Sequence, residues 1–304
     1  MSTNEIVDAV LRLLGILISW PLVVLVVVII ARRQLPALIV DLSRRVRKAP
    51  GGFEFDQLKE QVDTVAEKVK HIEEVVTFRP SAALTPDLKQ NMQKTLSGYY
   101  EYFKTVGFKP DTGRPEVEIR SNFENGNAHY YSSENRIIID KRMAADPDVA
   151  LREYTHHVLD SSAPVPTQEL GRSYHAIESG LADYFPCSFT DNAMMGEESG
   201  RLLNNGKPFR NLENERQFKD AIPDDHRDVG EIWGGAFWEI RNLLQPEGAD
   251  RLLYSSWQDQ TSNDIYRDEP QAFVKQLLAE ARHPAHSNEA DTIQSIFQRR
   301  GLEV

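Results

Sequence analysis

LREYTHHVL, residues 151–159, is the stretch on which the reading of this chain turns. Asp146 as N-cap, Pro147 at the first helical position and Asp148 in the first turn predict a helix that starts just before it. At 3.6 residues per turn Arg152 and His156 share a face, with Glu153 beside the first and His157 beside the second. A carboxylate and an imidazole on one helical face can carry acid-base or metal chemistry. A guanidinium among them has no lone pair to give a metal and stays charged at any ordinary pH.

In an HExxH helix two His four residues apart grip zinc, and the Glu beside the first acts as general base on the metal-bound water. Here the frame is Arg152, Glu153, Tyr154, Thr155 and His156, so base and second ligand are present and the first ligand is an Arg. Downstream, HAIESGLADYF (175–185) looks like the EGLADYF-type segment of gluzincins, the thermolysin-like metallopeptidases. NAHYY (127–131) looks like their cleft-lining edge strand, and HRDVGEIWGGAFWEIR (226–241) like their His-containing helical segment. The four segments occur in family order over 127–241, and together they resemble a thermolysin-like zincin fold. The resemblance implies that the third ligand position, four residues before Asp183, holds Ser179, a poor zinc ligand when neutral. It makes Asp183 the residue that steadies a zinc-binding His, His226 the transition-state-stabilising His, and Asn127 and Ala128 part of the substrate cleft.

Two of the three implied ligands are therefore replaced, and only His156 remains. Arg152 brings positive charge to the metal's place, and Asp183 and Glu153 are placed to neutralise it, giving a charge-assisted network instead of a metal centre. An Arg152 directed to solvent is the plainer alternative. Glu178 is next to the implied third ligand, but one residue turns a helical side chain by about 100°, so it is expected to face elsewhere. Glu153 and His157, with His175 or His226, form an unconventional alternative set; otherwise His157 is a packed or solvent-facing His. Trp233, Phe237 and Trp238 have the spacing of a buried helical face, and Cys187 reads as a packed thiol. Gly230, Gly234 and Gly235 follow no phosphate-loop pattern.

Upstream, LLGILISWPLVVLVVVIIA (13–31) is uncharged and about as long as the roughly 20 residues a membrane-spanning helix needs. Arg32, Arg33, Arg44, Arg45, Arg47 and Lys48 follow it, whereas a cleaved signal peptide would carry its basic residues in front. The basic bias predicts a single-pass protein of the cell inner membrane, with a short N-terminus outside and the C-terminal domain in the cytoplasm. Seven of the 35 Lys and Arg and three of the 46 Asp and Glu precede Pro50, leaving 28 against 43 beyond it. That balance argues against a nucleic-acid partner. Leu58, Val62, Val65, Val69, Ile72 and Val76 form a heptad seam with Val at every a position, which suits a parallel homodimer or, alternatively, an amphipathic helix packed on its own domain.

The expected organisation is an N-terminal tip and transmembrane helix (1–31), a basic juxtamembrane linker (32–57), an amphipathic or coiled-coil helix (58–79), and a zincin-like domain (84–304). Within that domain, Thr85 caps a helix, PEVEIR and NRIIIDKR read as strands, and helices separated by polar loops follow. Strands first and helices afterwards make an α+β class. The implied function is a membrane-anchored pseudopeptidase that binds a peptide or protein partner in its cleft without hydrolysis. No cofactor is expected. The alternative is an active metallopeptidase holding zinc through unconventional ligands around His156.

Overall fold

The computed structural model describes residues 75–302 except 110–112, 164–170, 223, 260–269 and 283–288. They belong to one compact unit that runs from Lys68 to Val304. The membrane span, the basic linker and the seam up to residue 74 lie outside the described residues. Among those described, no helix is long and apolar enough to cross a membrane.

The unit is α+β. Strand β1 (Thr77–Phe78) leads to helix α1 (Pro86–Val106), then β2 (Glu116–Arg120), β3 (Ala128–Tyr131) and β4 (Arg136–Asp140). Helices α2 (Pro147–Ser162) and α3 (Arg172–Thr190) follow. A small hairpin of β5 (Met194–Met195) and β6 (Arg210–Asn211) flanks α4 (Glu197–Leu203). Then come α5 (His226–Gln258), α6 (Pro270–Ala281) and α7 (Ala290–Arg299). Both expected N-caps are made: the Leu88 N–H donates to the Thr85 hydroxyl and the Asp148 N–H to the Asp146 carboxylate, each with Pro at the next position.

The main sheet has the order β1-β2-β4-β3. β1, β2 and β4 run parallel, and β3 is the antiparallel edge, with Ala128 opposite Ile139. The apolar run Ile137, Ile138 and Ile139 is fully buried, as expected of a strand paired on both sides and covered by helices. The expected helix at 58–79 does not extend to its predicted end. Val75 to Arg79 are not helical, and Thr77 and Phe78, a β-branched and an aromatic residue, pair with Glu116 and Val117 instead. Val76, the last seam position, is buried in this unit's own core.

α3 and α5 lie across each other at very close range. A Cβ on Gly180 would lie 2.6 Å from the Trp233 Cβ, and one on Gly230 would lie 2.8 Å from the Ser179 Cβ. Close approach, not phosphate binding, is what these glycines provide. Trp233, Phe237 and Trp238 are buried as their spacing predicts. Gly180→Ala should destabilise the unit by about 1–3 kcal/mol through overpacking, despite gaining about 1 kcal/mol in helix propensity. A urea midpoint equal to or above that of the parent would show that the two helices separate without cost.

Candidate functional site

Arg152 reaches from α2 to α3. Its Nε donates to Asp183 Oδ1 at 2.7 Å, one terminal nitrogen to Glu153 Oε1 at 3.0 Å, and the other to Ser179 Oγ at 3.2 Å. The Arg152 side chain is 15% exposed and Asp183 is completely buried. The guanidinium thus sits among the implied base, the implied third-ligand position and the residue implied to steady a ligand. Burial opposes its charge, but Asp183 and Glu153 outweigh that and hold it firmly protonated.

A second Arg, which the sequence did not single out, completes the cluster. Arg210 of β6 donates its Nε to the other Asp183 oxygen at 3.1 Å. It lies in what reads as a polar loop, and only the folding of that loop into the β5–β6 hairpin brings it to α3. Asp183 therefore faces two guanidinium groups, one on each oxygen.

One turn further along α2, His156 Nδ1 lies 2.9 Å from Glu178 Oε1, and His175 Nδ1 lies 3.9 Å from Glu178 Oε2. The 100° turn that carries Glu178 away from Arg152 brings it to His156, so the expectation that it faces elsewhere is corrected. Burial raises its pKa, but the two imidazoles outweigh burial and hold the carboxylate well below its usual range. His226, the first residue of α5, lies near His175 with ring centroids 5.8 Å apart and the rings tilted by 52°. It is exposed, yet partial burial and its neighbours His175 and Arg227 lower its pKa.

These side chains line one cleft between β3 and α2. One part, about 220 Å³, is bounded by Asn127, Ala128, Arg152, Glu153, Arg210 and Arg227 among others. The adjoining part, about 280 Å³, is bounded by His129, His156, His175, Glu178, Ser179 and His226 among others. Arg152 and Arg227 face both parts. The Asp140 N–H donates to the Asn127 carbonyl at 2.9 Å. Ladder alternation then turns the main-chain groups of Ala128 and Tyr130 away from β4, towards the open edge. Asn127 itself donates its side-chain N–H to Glu124 at 2.7 Å.

Zinc, which the family resemblance implies, does not fit this donor set. The first position offers a guanidinium, the third a hydroxyl that accepts from that guanidinium, and His156 is engaged by Glu178. Among the described residues no three His, Cys, Asp or Glu side chains are arranged to hold a metal ion together. Glu153 and His157 form no joint site: Arg152 takes up the first, and the second is buried, its Nδ1 3.5 Å from the Tyr130 hydroxyl. Cys187 is a buried free thiol whose pKa burial raises. Neither a model of a known protein family nor any curated protein matches the chain.

Two outcomes follow from the buried groups. Asp183→Asn leaves two guanidinium groups around a neutral amide and should destabilise the unit by about 3–5 kcal/mol, measured by chemical denaturation at neutral pH. An unchanged midpoint would place Arg152 in solvent. Burial also lowers the pKa of His157 from 6.5 to about 4. Between these values the unfolded chain binds the proton and the folded one does not, so this contribution is complete above pH 6.5 and is lost as pH falls towards 4. The stability difference between the parent and His157→Gln should therefore change by about 3 kcal/mol across that window, at about 1.36 kcal/mol per unit of pKa shift. A pH-independent difference would mean that His157 titrates alike in both states.

Proposed function

We propose that this chain is a pseudopeptidase of zincin type, anchored in the membrane with its domain in the cytoplasm, which binds an extended peptide segment of a partner and does not hydrolyse it. One observation carries the proposal: the Arg152 guanidinium hydrogen-bonds Asp183, Glu153 and Ser179, where the gluzincin resemblance would put a metal centre. A fixed organic cation replaces a metal ion and its imidazole. It neutralises the acids left behind, but it has no vacant coordination position and cannot acidify a bound water as zinc does. Glu153, paired with Arg152, has no activated water to deprotonate.

The antiparallel edge strand supports the binding half of the proposal. The outward main-chain groups of Ala128 and Tyr130 are free to take up an added strand. The resemblance assigns the same role to the Asn-Ala-aromatic-aromatic strand of gluzincins. Membrane anchoring rests on the sequence pattern of residues 13–31, and self-association on the seam positions ahead of Val76, which is itself buried in the domain core.

Elemental analysis of the full-length protein should find far less than one zinc per chain. Arg152→His combined with Ser179→Glu should raise uptake towards one, because two imidazoles would then share a face of α2 and a carboxylate would oppose them from α3. Either change alone should do so poorly. Stoichiometric zinc in the parent, with peptide hydrolysis lost in Glu153→Gln and on chelation, would overturn the proposal in favour of an active metallopeptidase. A folded double variant that takes up no more zinc than the single ones would show that Ser179 is not the third-ligand position.

A further inference from the structure

Resting on the strand-addition proposal above, we infer that the segment held along β3 carries a carboxylate that pairs with Arg227. The inference comes from the balance of charges in the cleft. Asp183 is taken by Arg152 and Arg210, and Glu153 by Arg152. Glu178 is taken by His156, and Asp160 accepts from the Tyr130 hydroxyl at 3.1 Å. Every lining carboxylate therefore already has a donor of its own.

Arg227 has none. Among the described residues no acidic side chain pairs with its guanidinium, although Arg227 faces both parts of the cleft. It is exposed at the second residue of α5, where it gains nothing from the helix dipole, since cations favour the opposite end. The N-cap does not use it either, because Asp225 accepts from the Arg227 and Asp228 backbone N–H groups and leaves the side chain free. An unpaired Arg on the wall of a groove, in a chain of net charge −11, selects an anionic group at that point and repels a basic one. Glu124 is exposed and accepts from the Asn127 amide. A segment with Lys or Arg opposite Arg227 would meet like charge, and one with a neutral side chain would leave the guanidinium to water. The chemistry selected is a carboxylate on an extended segment, either an Asp or Glu side chain or a chain terminus.

The test is selection of a displayed library of random decapeptides on the full-length protein in detergent, in parallel with Arg227→Ala and Arg227→Glu. Peptides selected on the parent should be enriched in Asp or Glu at one position relative to their apolar residues. That enrichment should vanish with Arg227→Ala and turn to Lys or Arg with Arg227→Glu. Synthetic copies of a selected peptide should bind Arg227→Ala about two- to fivefold more weakly, as expected for an exposed charge pair. A copy with Glu replaced by Gln would lose that margin if the side chain is the source, and a C-terminal amide would lose it if the terminus is.

Ala128→Pro, which removes an outward N–H while sparing the bonds to β4, separates the two levels of the inference. Peptides that require Ala128 but show no acidic preference overturn the carboxylate and leave strand addition standing. Failure to select any peptide, or binding indifferent to Ala128→Pro, overturns both. Should Ala128→Pro fail to fold, hydrogen exchange on the parent gives the same answer: bound peptide must slow exchange of the Ala128 and Tyr130 amides, and unchanged exchange overturns both.

Discussion

A carboxylate without solvent must have a cation. Asp183 is completely buried in the middle of α3, and both of its oxygens are taken by guanidinium groups. The requirement ties three parts of the chain together, because Arg152 comes from α2 and Arg210 from the β5–β6 hairpin. A transition metal crosslinks helices by drawing lone pairs towards one point, whereas a guanidinium does it by sending N–H groups outward in one plane. The two devices need partners of opposite kind. Asp183, Glu153 and Ser179 all accept from Arg152, so the site is held by hydrogen bonds sent outward from one cation.

The proposed exchange of a metal for a guanidinium would have chemical consequences that follow from charge alone. A divalent ion turns water into a nucleophile near neutral pH and polarises the carbonyl to be attacked. Arg152 can stabilise negative charge but has three of its five N–H groups committed to the acceptors around it. His226 keeps its place beside His175 with a lowered pKa, available as a neutral hydrogen-bonding group. On the proposed reading, the cleft recognises a peptide and lacks the means to activate water.

The parts of this arrangement that were legible from sequence are those fixed by local rules or by pairwise neutrality. Thr85 and Asp146 announce their helices because capping is local, and the Ile run at 137–139 announces a buried strand. The Arg152–Asp183 pair was legible because the gluzincin resemblance implies that the two positions are close, and a buried guanidinium without an acid is too costly to persist. Arg210 was not, because nothing near it in sequence marks a polar loop as one that will fold back on α3. β1 was hidden for a similar reason: two residues at the end of a heptad pattern become a strand only through a partner forty positions away. Glu178 shows the limit of helical phase, which says where a side chain does not point but not which neighbour stands one turn further on.

An exposed sheet edge is a liability that proteins commonly cover or charge, since any extended chain can pair with it. Here β3 is left as an edge, with His129 exposed and Tyr130 anchored to α2 through Asp160. The walls facing it are α2, whose charged side chains already have partners, and the start of α5, whose first two side chains, His226 and Arg227, face the groove. Such an edge accepts a strand only if the strand fits the groove in width and meets that charge. On the strand-addition proposal, the same walls that restrict access to the edge also give it its specificity.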